Sequence, residues 1–223
     1  MSVLDLWAAA QADMSALGRG LRADEADAPV PACPVWTVHD VFAHQAGVAS
    51  DILGGRLEGV TTDPWTQRQV EERGGRTLAE ILDEWDADAP RIIEAMAPLG
   101  DAVDPRMVID VWTHDQDVRG AVGRPGQRDG ERAEWVGDRF RDHLAEEVER
   151  AGLAPLVVDF GDRHAAEGSV AVSRFEFCRA LVGRRSLDQI RQWTWAVDDP
   201  EPYVGLIPVF AARADALIEP EAP

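Results

Sequence analysis

The sequence predicts a mainly α protein, in which an up-and-down four-helix bundle is followed by a small α+β C-terminal domain. Three observations predict this fold class. Apolar residues recur at helical spacing over long segments, helix-start signals precede most of these segments, and short apolar runs typical of strands appear after residue 152. Four long helices with short to medium connections describe a bundle. We therefore expect the bundle to span residues 1–151 and the second domain to span residues 152–223.

The four bundle helices follow one another along the first part of the chain. The first is predicted by apolar residues in steps of three and four, and the other three begin at patterns that cap helix N-termini. These patterns are Thr37 with Asp40, Thr77 with Glu80, and Asp104 with Pro105. The predicted helices span residues 3–21, 38–53, 78–96 and 105–122. Pro90 lies inside the third pattern, so we expect it to kink or divide that helix.

The sequence pattern of the remaining residues predicts one more long helix, followed by short strands and short helices. An amphipathic helix is expected at about 133–151, after a polar linker. Two short strands, at 156–160 and 169–172, are expected to be joined by a turn around Gly161. Ser173 and Ser186 each have a Glu or Gln three residues later, which predicts two short capped helices.

Composition narrows the range of functions. The 41 acidic and 22 basic side chains give a net charge of −19, which repels phosphate backbones and anionic lipids, so we expect neither a nucleic-acid nor a membrane partner. All basic residues are Arg, which excludes a catalytic Lys. Cys33 and Cys178 form no CxxC pair, and residues 1–13 contain no basic region, so we expect no secretory signal in this segment. We expect a cytoplasmic monomer or homodimer that acts on a small molecule.

The strongest candidates for a functional site are a carboxylate and two histidines. Asp110, His114 and Asp117 fall on one stripe of the fourth helix, and side chains four apart can bind one metal ion. His44 lies at the edge of the apolar stripe of the second helix, so it is expected to face them. Two imidazoles and one carboxylate leave an open metal position, as in catalytic zinc sites or non-haem iron(II) sites. The alternative is a histidine packed with its carboxylate partners at the edge of the core.

The other polar candidates are assigned no direct catalytic or metal-binding role. Asp117 is interpreted as a structural partner of Arg119 or as a group that orients an imidazole. Cys33 has no basic neighbour in sequence that would activate it as a nucleophile. Three further histidines are assigned to no site: His39, His143 and His164.

Three runs of residues resemble a known family. The run from Trp36 to Gly47, WTVHDVFAHQAG, together with His114-x-x-Asp-Val-Arg, resembles the amino-terminal domain of the mycothiol-dependent maleylpyruvate isomerase family. That domain belongs to the DinB-like four-helix superfamily. The run Gly183-Arg-Arg-Ser186 resembles a segment of the second domain of that family.

The resemblance implies a divalent metal, usually zinc, held by His, Glu and His. His44 and His114 match the two histidines, and Asp110 stands where the family has Glu, one methylene longer. The helices must then approach more closely, or a water must intervene, or the metal is bound more weakly. The resemblance further implies that a small thiol, mycothiol, binds the open position as thiolate. Arg184 and Arg185 are the candidate cofactor-binding residues if their segment covers the bundle mouth; the alternative is a solvated pair.

Three functions follow from this ligand set. An isomerase would add the thiolate to a conjugated double bond and release it again, whereas a transferase would leave the sulfur attached to a small electrophile. The same ligands could instead activate water in a hydrolase. A non-catalytic DinB-like metal-binding protein that binds a small molecule is the alternative outside enzyme chemistry.

Overall fold

The computed structural model describes residues 1–161 and 165–221, and the chain divides into two compact units, Met1–Arg124 and Pro125–Pro223. The first unit contains mostly helix. The second combines helices with one small sheet, so the predicted fold class, a helical bundle followed by a small α+β region, is confirmed. No helix in the described part of the chain is both long and apolar enough to cross a membrane.

Four long helices build the first unit. They are α1 (Val3–Arg19), α3 (Val38–Gly54), α5 (Leu78–Met96) and α6 (Arg106–Ala121), with the short helices α2 (Ala23–Ala26) and α4 (Asp63–Glu71) and a 3-10 turn (Ala97–Ala102) between them. The caps predicted for α3 and α5 are present, because the Thr37 and Thr77 hydroxyls accept from the backbone three residues later. α5 is continuous through Pro90, so of the two predicted effects, a kink or a division, the division does not occur and the kink stays a prediction.

The long helices do not follow one another around the bundle in the order of the chain. The closely packed pairs are α1 with α5, α5 with α3, α3 with α6, and α6 with α1. Consecutive long helices therefore lie across the bundle in two places, from α1 to α3 and from α5 to α6. The connecting segments, 20–37 and 97–105, are long enough to make these crossings.

The core of the first unit consists of side chains from all four long helices. Phe42 and Trp85 pack edge to face, with ring centroids 6.5 Å apart. Burying such aromatic residues removes a large apolar area from water and stabilises the bundle. Polar residues are also buried on the inner faces of α3 and α6, and these residues build the site described below.

The second unit begins with α7 (Glu131–Arg150). It continues with β1 (Val157–Asp159), β2 (Ser169–Ala171), α8 (Arg174–Leu181), α9 (Leu187–Arg191), β3 (Thr194–Ala196) and α10 (Glu201–Val204). The strand order is β1-β2-β3, with β1 parallel and β3 antiparallel to β2. The sequence analysis expected two strands joined by a turn and no third strand. The parallel pairing of β1 and β2 excludes a tight hairpin between them.

The boundary between the units differs from the predicted one after residue 151. α7 packs against α8 and so lies in the second unit, and the division falls at Arg124 and Pro125. Phe140 and Leu144, in the apolar row of α7, are buried. The amphipathic pattern predicted the helix but contains no information about which unit covers its apolar face.

One close approach in the first unit depends on glycine. α4 packs on α3 at Gly47, where a Cβ atom would lie 2.4 Å from Cβ of Gln69. Gly47 and Gln69 are both buried. An alanine at this position requires α4 to move away from α3.

We therefore expect Gly47→Ala to lower the free energy of unfolding by about 1–3 kcal/mol, the usual cost of overpacking. Gly54→Ala in the same helix is the matched control, because a Cβ there meets only the flexible side chain of Arg56 at 3.6 Å or more. We expect the control to be neutral or slightly stabilising. Urea denaturation followed by circular dichroism measures both, and equal stability of the two variants would contradict the assigned contact.

Candidate metal centre

The packing of α3 against α6 brings together three potential metal-ligand atoms. Nε2 of His44 lies 3.8 Å from Oδ1 of Asp110, and Nε2 of His114 lies 3.6 Å from the same oxygen. The three ligand atoms lie within 4.8 Å of one another, and both histidines are buried. The structure thus juxtaposes the three residues that the sequence analysis predicted as metal ligands.

The outer nitrogens of the two imidazoles face oxygen atoms. Nδ1 of His44 lies 2.7 Å from Oε1 of Gln69, a carbonyl oxygen that only accepts, so Nδ1 carries the hydrogen. Nδ1 of His114 lies 3.1 Å from Oδ2 of Asp117. This second contact is not aligned as a hydrogen bond, but the carboxylate charge favours the proton on the same nitrogen. In both rings the Nε2 lone pair is then directed towards Asp110.

Asp110 is held as an acceptor between the two rings. Nε2 of Gln45 donates to its Oδ2 at 2.7 Å, which leaves Oδ1 towards the histidines. Burial on its own would raise the pKa of Asp110, but its interactions with His44, His114 and the Gln45 amide hold that pKa well below its usual range. Its side chain is 37% exposed, so this edge of the site is open to solvent.

The donor set fits a divalent cation. Two imidazole lone pairs and one carboxylate oxygen converge, and each imidazole hydrogen is directed outwards, so a cation can satisfy all three acceptors. In a tetrahedral zinc site with bonds near 2.1 Å, neighbouring ligand atoms are about 3.4 Å apart. The two distances to Oδ1, 3.8 and 3.6 Å, are only slightly longer. The shorter Asp110 therefore reaches the position that a ligand requires.

Two tryptophans form a wall of the centre. The ring of Trp36 lies 5.1 Å from that of His44 and 5.9 Å from that of His114, measured between centroids. The ring of Trp65, which is buried, contacts His44 edge to face at 6.3 Å. These apolar surfaces limit the access of water to the imidazoles and strengthen electrostatic interactions at the centre.

Asp117 also connects the centre to a cysteine. Sγ of Cys33 donates to Oδ2 of Asp117 at 3.3 Å, and Cys33, His114 and Asp117 form a second group of potential ligand atoms that shares His114. The interpretation of Asp117 as a group that orients an imidazole stays a prediction. Arg119 pairs with Asp115 at 2.8 Å.

The two arginines predicted to bind a cofactor lie in the second unit. Arg185 is buried, and its guanidinium group contacts the carboxylates of Glu176 at 2.6 Å and Glu219 at 2.8 Å. Arg184 donates to the backbone oxygen of Val182 at 2.9 Å. The role of both arginines in binding a thiol stays a prediction.

Of the three histidines that were assigned to no site, His39 and His143 are not among the potential ligand groups of the described residues. Nε2 of His39 lies 2.8 Å from the backbone oxygen of Arg76. His143 lies on α7, and His164 lies outside the described residues.

The sequence analysis did not identify the amides that hold the centre. Gln69 comes from α4, a helix that the sequence analysis did not predict, and Gln45 was not singled out. Two signals could have indicated them. Pro64 directly after Asp63 is a helix-start pattern, and Gly47 inside an otherwise regular helix often marks a close packing contact.

The architecture and the centre together define a class: a helical bundle whose inner face carries a His-Asp-His set suited to a divalent metal. A family model described as the mycothiol maleylpyruvate isomerase N-terminal domain matches residues 7–119. The chain belongs to this family, and the match includes His44, Asp110 and His114. Searches among curated proteins and among solved structures gave no significant match.

The role of Asp110 as a metal ligand can be tested by lengthening its side chain and by removing its carboxylate. We expect Asp110→Glu to retain metal affinity, because the longer carboxylate is the residue typical of the family. We expect Asp110→Ala to weaken zinc affinity by more than the roughly 10–100-fold that is typical of groups that only orient a ligand. Competition with a chromophoric chelator measures both on metal-free protein.

The exposed Asp142, in the second unit, provides the control Asp142→Ala, which should bind zinc as the parent does. If Asp110→Ala also binds zinc as tightly as the parent, Asp110 is not a ligand.

Proposed function

We propose that the protein binds one divalent metal ion, zinc, through His44, Asp110 and His114, and that it uses a small thiol, mycothiol, as a nucleophile towards an electrophilic substrate. The observation that carries the proposal is that the Nε2 atoms of the two imidazoles and one oxygen of Asp110 lie within 4.8 Å of one another. Family membership supports the choice of thiol. The reaction class is isomerisation or S-transfer.

Three protein ligands suit a catalytic ion, because a structural zinc ion usually has four. The ion, when bound, lowers the pKa of a coordinated thiol and so supplies a thiolate at neutral pH. Asp110 offsets one of its positive charges, while the two neutral imidazoles add none. The partly exposed edge at Asp110 leaves a route by which a small thiol can reach the centre.

The surrounding residues favour a thiol over water. Trp36 and Trp65 present ring surfaces beside the imidazoles, and such surfaces exclude water and accommodate the apolar part of a thiol. The net charge of −19 disfavours a highly anionic electrophile unless arginines neutralise it locally. A neutral or weakly anionic conjugated substrate fits these conditions best.

The first test is metal uptake. We expect one zinc ion per chain by elemental analysis after purification in zinc-containing buffer and extensive dialysis. His44→Ala with His114→Ala should abolish this uptake while helical content stays largely intact, because both rings lie at the inner edge of helices that pack through other residues. His143→Ala, outside the centre, is the control.

The metal proposal fails if the unmodified protein retains no metal and also gives no heat on calorimetric titration with zinc.

The second test concerns the thiol. In cobalt-substituted protein, addition of mycothiol should produce the sulfur-to-metal charge-transfer band in the near ultraviolet that reports thiolate coordination. An analogue of mycothiol in which a hydroxyl group replaces the thiol should give no such band. Absence of the band at millimolar mycothiol, with cobalt shown to occupy the centre, would exclude the thiol mechanism and favour a water-activating hydrolase or a non-catalytic binder.

A further inference from the structure

A buried chain of hydrogen bonds leads away from the metal centre through α4. Gln69 accepts from Nδ1 of His44 with its Oε1 at 2.7 Å and donates to Oδ2 of Asp51 with its Nε2 at 2.7 Å. His44, Gln69 and Asp51 are all buried, and Asp51 and Gln69 have no exposed surface. The side chains of Asp51 and Gln69 therefore form no hydrogen bonds with bulk water.

Asp51 is itself held by two arginines. Nε of Arg56 lies 2.7 Å from one of its oxygens, and a guanidinium nitrogen of Arg68 lies 2.8 Å from the other. A buried carboxylate without such partners would be strongly destabilising. Both arginines are partly exposed, so the pair connects the interior of the bundle to its surface.

The direction of these hydrogen bonds is determined by chemistry. An ionised carboxylate only accepts hydrogen bonds, so the side of the Gln69 amide that faces Asp51 must be its NH2 group. The carbonyl oxygen of the amide must then face His44. An oxygen at 2.7 Å requires a hydrogen on Nδ1, which leaves the Nε2 lone pair directed to the metal position.

We propose that Gln69 and Asp51 are positioning residues that select the Nδ1-protonated tautomer of His44 and so prepare its Nε2 to bind the metal. This inference rests on the proposed metal function. It goes beyond it by assigning a role to a polar chain that contributes no ligand. Gly47 belongs to the same arrangement, because it permits the close approach of Gln69 to α3.

Loss of the hydrogen bonds through Gln69 has a specific consequence for the metal-free centre. Without an acceptor at Nδ1, the hydrogen of His44 can move to Nε2, which lies 3.8 Å from Oδ1 of Asp110. If Nε2–H of His44 donates to Asp110, these two potential ligand atoms are hydrogen-bonded to each other and are not available to a metal ion. Metal binding must then break this hydrogen bond and change the tautomer, so affinity falls.

The experiment measures tautomer and affinity separately. Two-bond proton–nitrogen correlation spectra of metal-free, nitrogen-15-labelled protein report which ring nitrogen of His44 carries the hydrogen, and chelator competition reports zinc affinity. The variants are Gln69→Leu and Asp51→Asn. The matched control is Gln67→Leu, a substitution of the same type on the exposed face of α4.

We expect the parent and the control to show His44 protonated on Nδ1. In Gln69→Leu the hydrogen should move to Nε2, and zinc affinity should fall by about 10–100-fold, as for other groups that orient a ligand. In Asp51→Asn the amide of Asn can donate as well as accept, so Gln69 can turn round, and a mixture of tautomers with intermediate affinity is expected.

A double variant distinguishes positioning from a merely structural role. Gln69→Glu with Asp51→Asn moves the carboxylate next to His44 and supplies an NH2 group from position 51 to pair with it. The carboxylate again accepts from Nδ1, so both the tautomer and the affinity should recover relative to the single variants. A role confined to packing would not produce this recovery, and the double variant also covers the case in which Gln69→Leu fails to fold.

Two results would overturn the inference: an unchanged Nδ1-protonated His44 in folded Gln69→Leu, or failure of the double variant to restore that tautomer. Because the spectra are recorded on metal-free protein, the result stands whether or not the parent binds zinc. Absence of zinc binding by the parent with the expected tautomers would instead refute the proposed function alone.

Discussion

The contact of α3 with both α4 and α6 is the constraint on which the candidate centre depends. α3 supplies His44 to the centre on one side and receives Gln69 from α4 on the other. Polar groups buried between helices are costly unless each hydrogen bond has a partner. The helices must therefore pack at one register, since a shift along α3 would separate His44 from Gln69 and from Asp110 together. Packing and polar pairing constrain each other here.

The centre divides into a part that the sequence could predict and a part that it could not. Asp110 and His114 are four residues apart on one helix, and His44 borders an apolar stripe, so local periodicity was sufficient to propose these residues. Gln69 is separated from His44 by a loop, and its role depends on a contact between helices. Such a contact leaves no periodic signal, and only Gly47 indicated that another element approaches α3 closely.

The same distinction holds for the fold. Thr37 and Thr77 cap their helices through contacts three residues away, and those helices were predicted with nearly the observed bounds. The third strand, Thr194–Ala196, pairs with residues 169–171, and α7 joins the second unit by packing on α8. These features depend on residues distant in sequence. The diagonal order of the long helices also follows from contacts that no single segment specifies.

The resemblance implies Glu at the position of Asp110, and the effect of the shorter residue depends on the atom that faces the histidines. Removal of one methylene shortens the reach of the carboxylate but leaves its charge and its acceptor oxygens unchanged. Gln45 donates to Oδ2, so Oδ1 alone is available to the centre, at 3.6 and 3.8 Å from the two imidazole nitrogens. A shorter side chain also loses less rotamer freedom when it is held in this way. The Asp110 side chain therefore offers one oxygen to the centre at distances close to those between neighbouring ligand atoms of a tetrahedral zinc site.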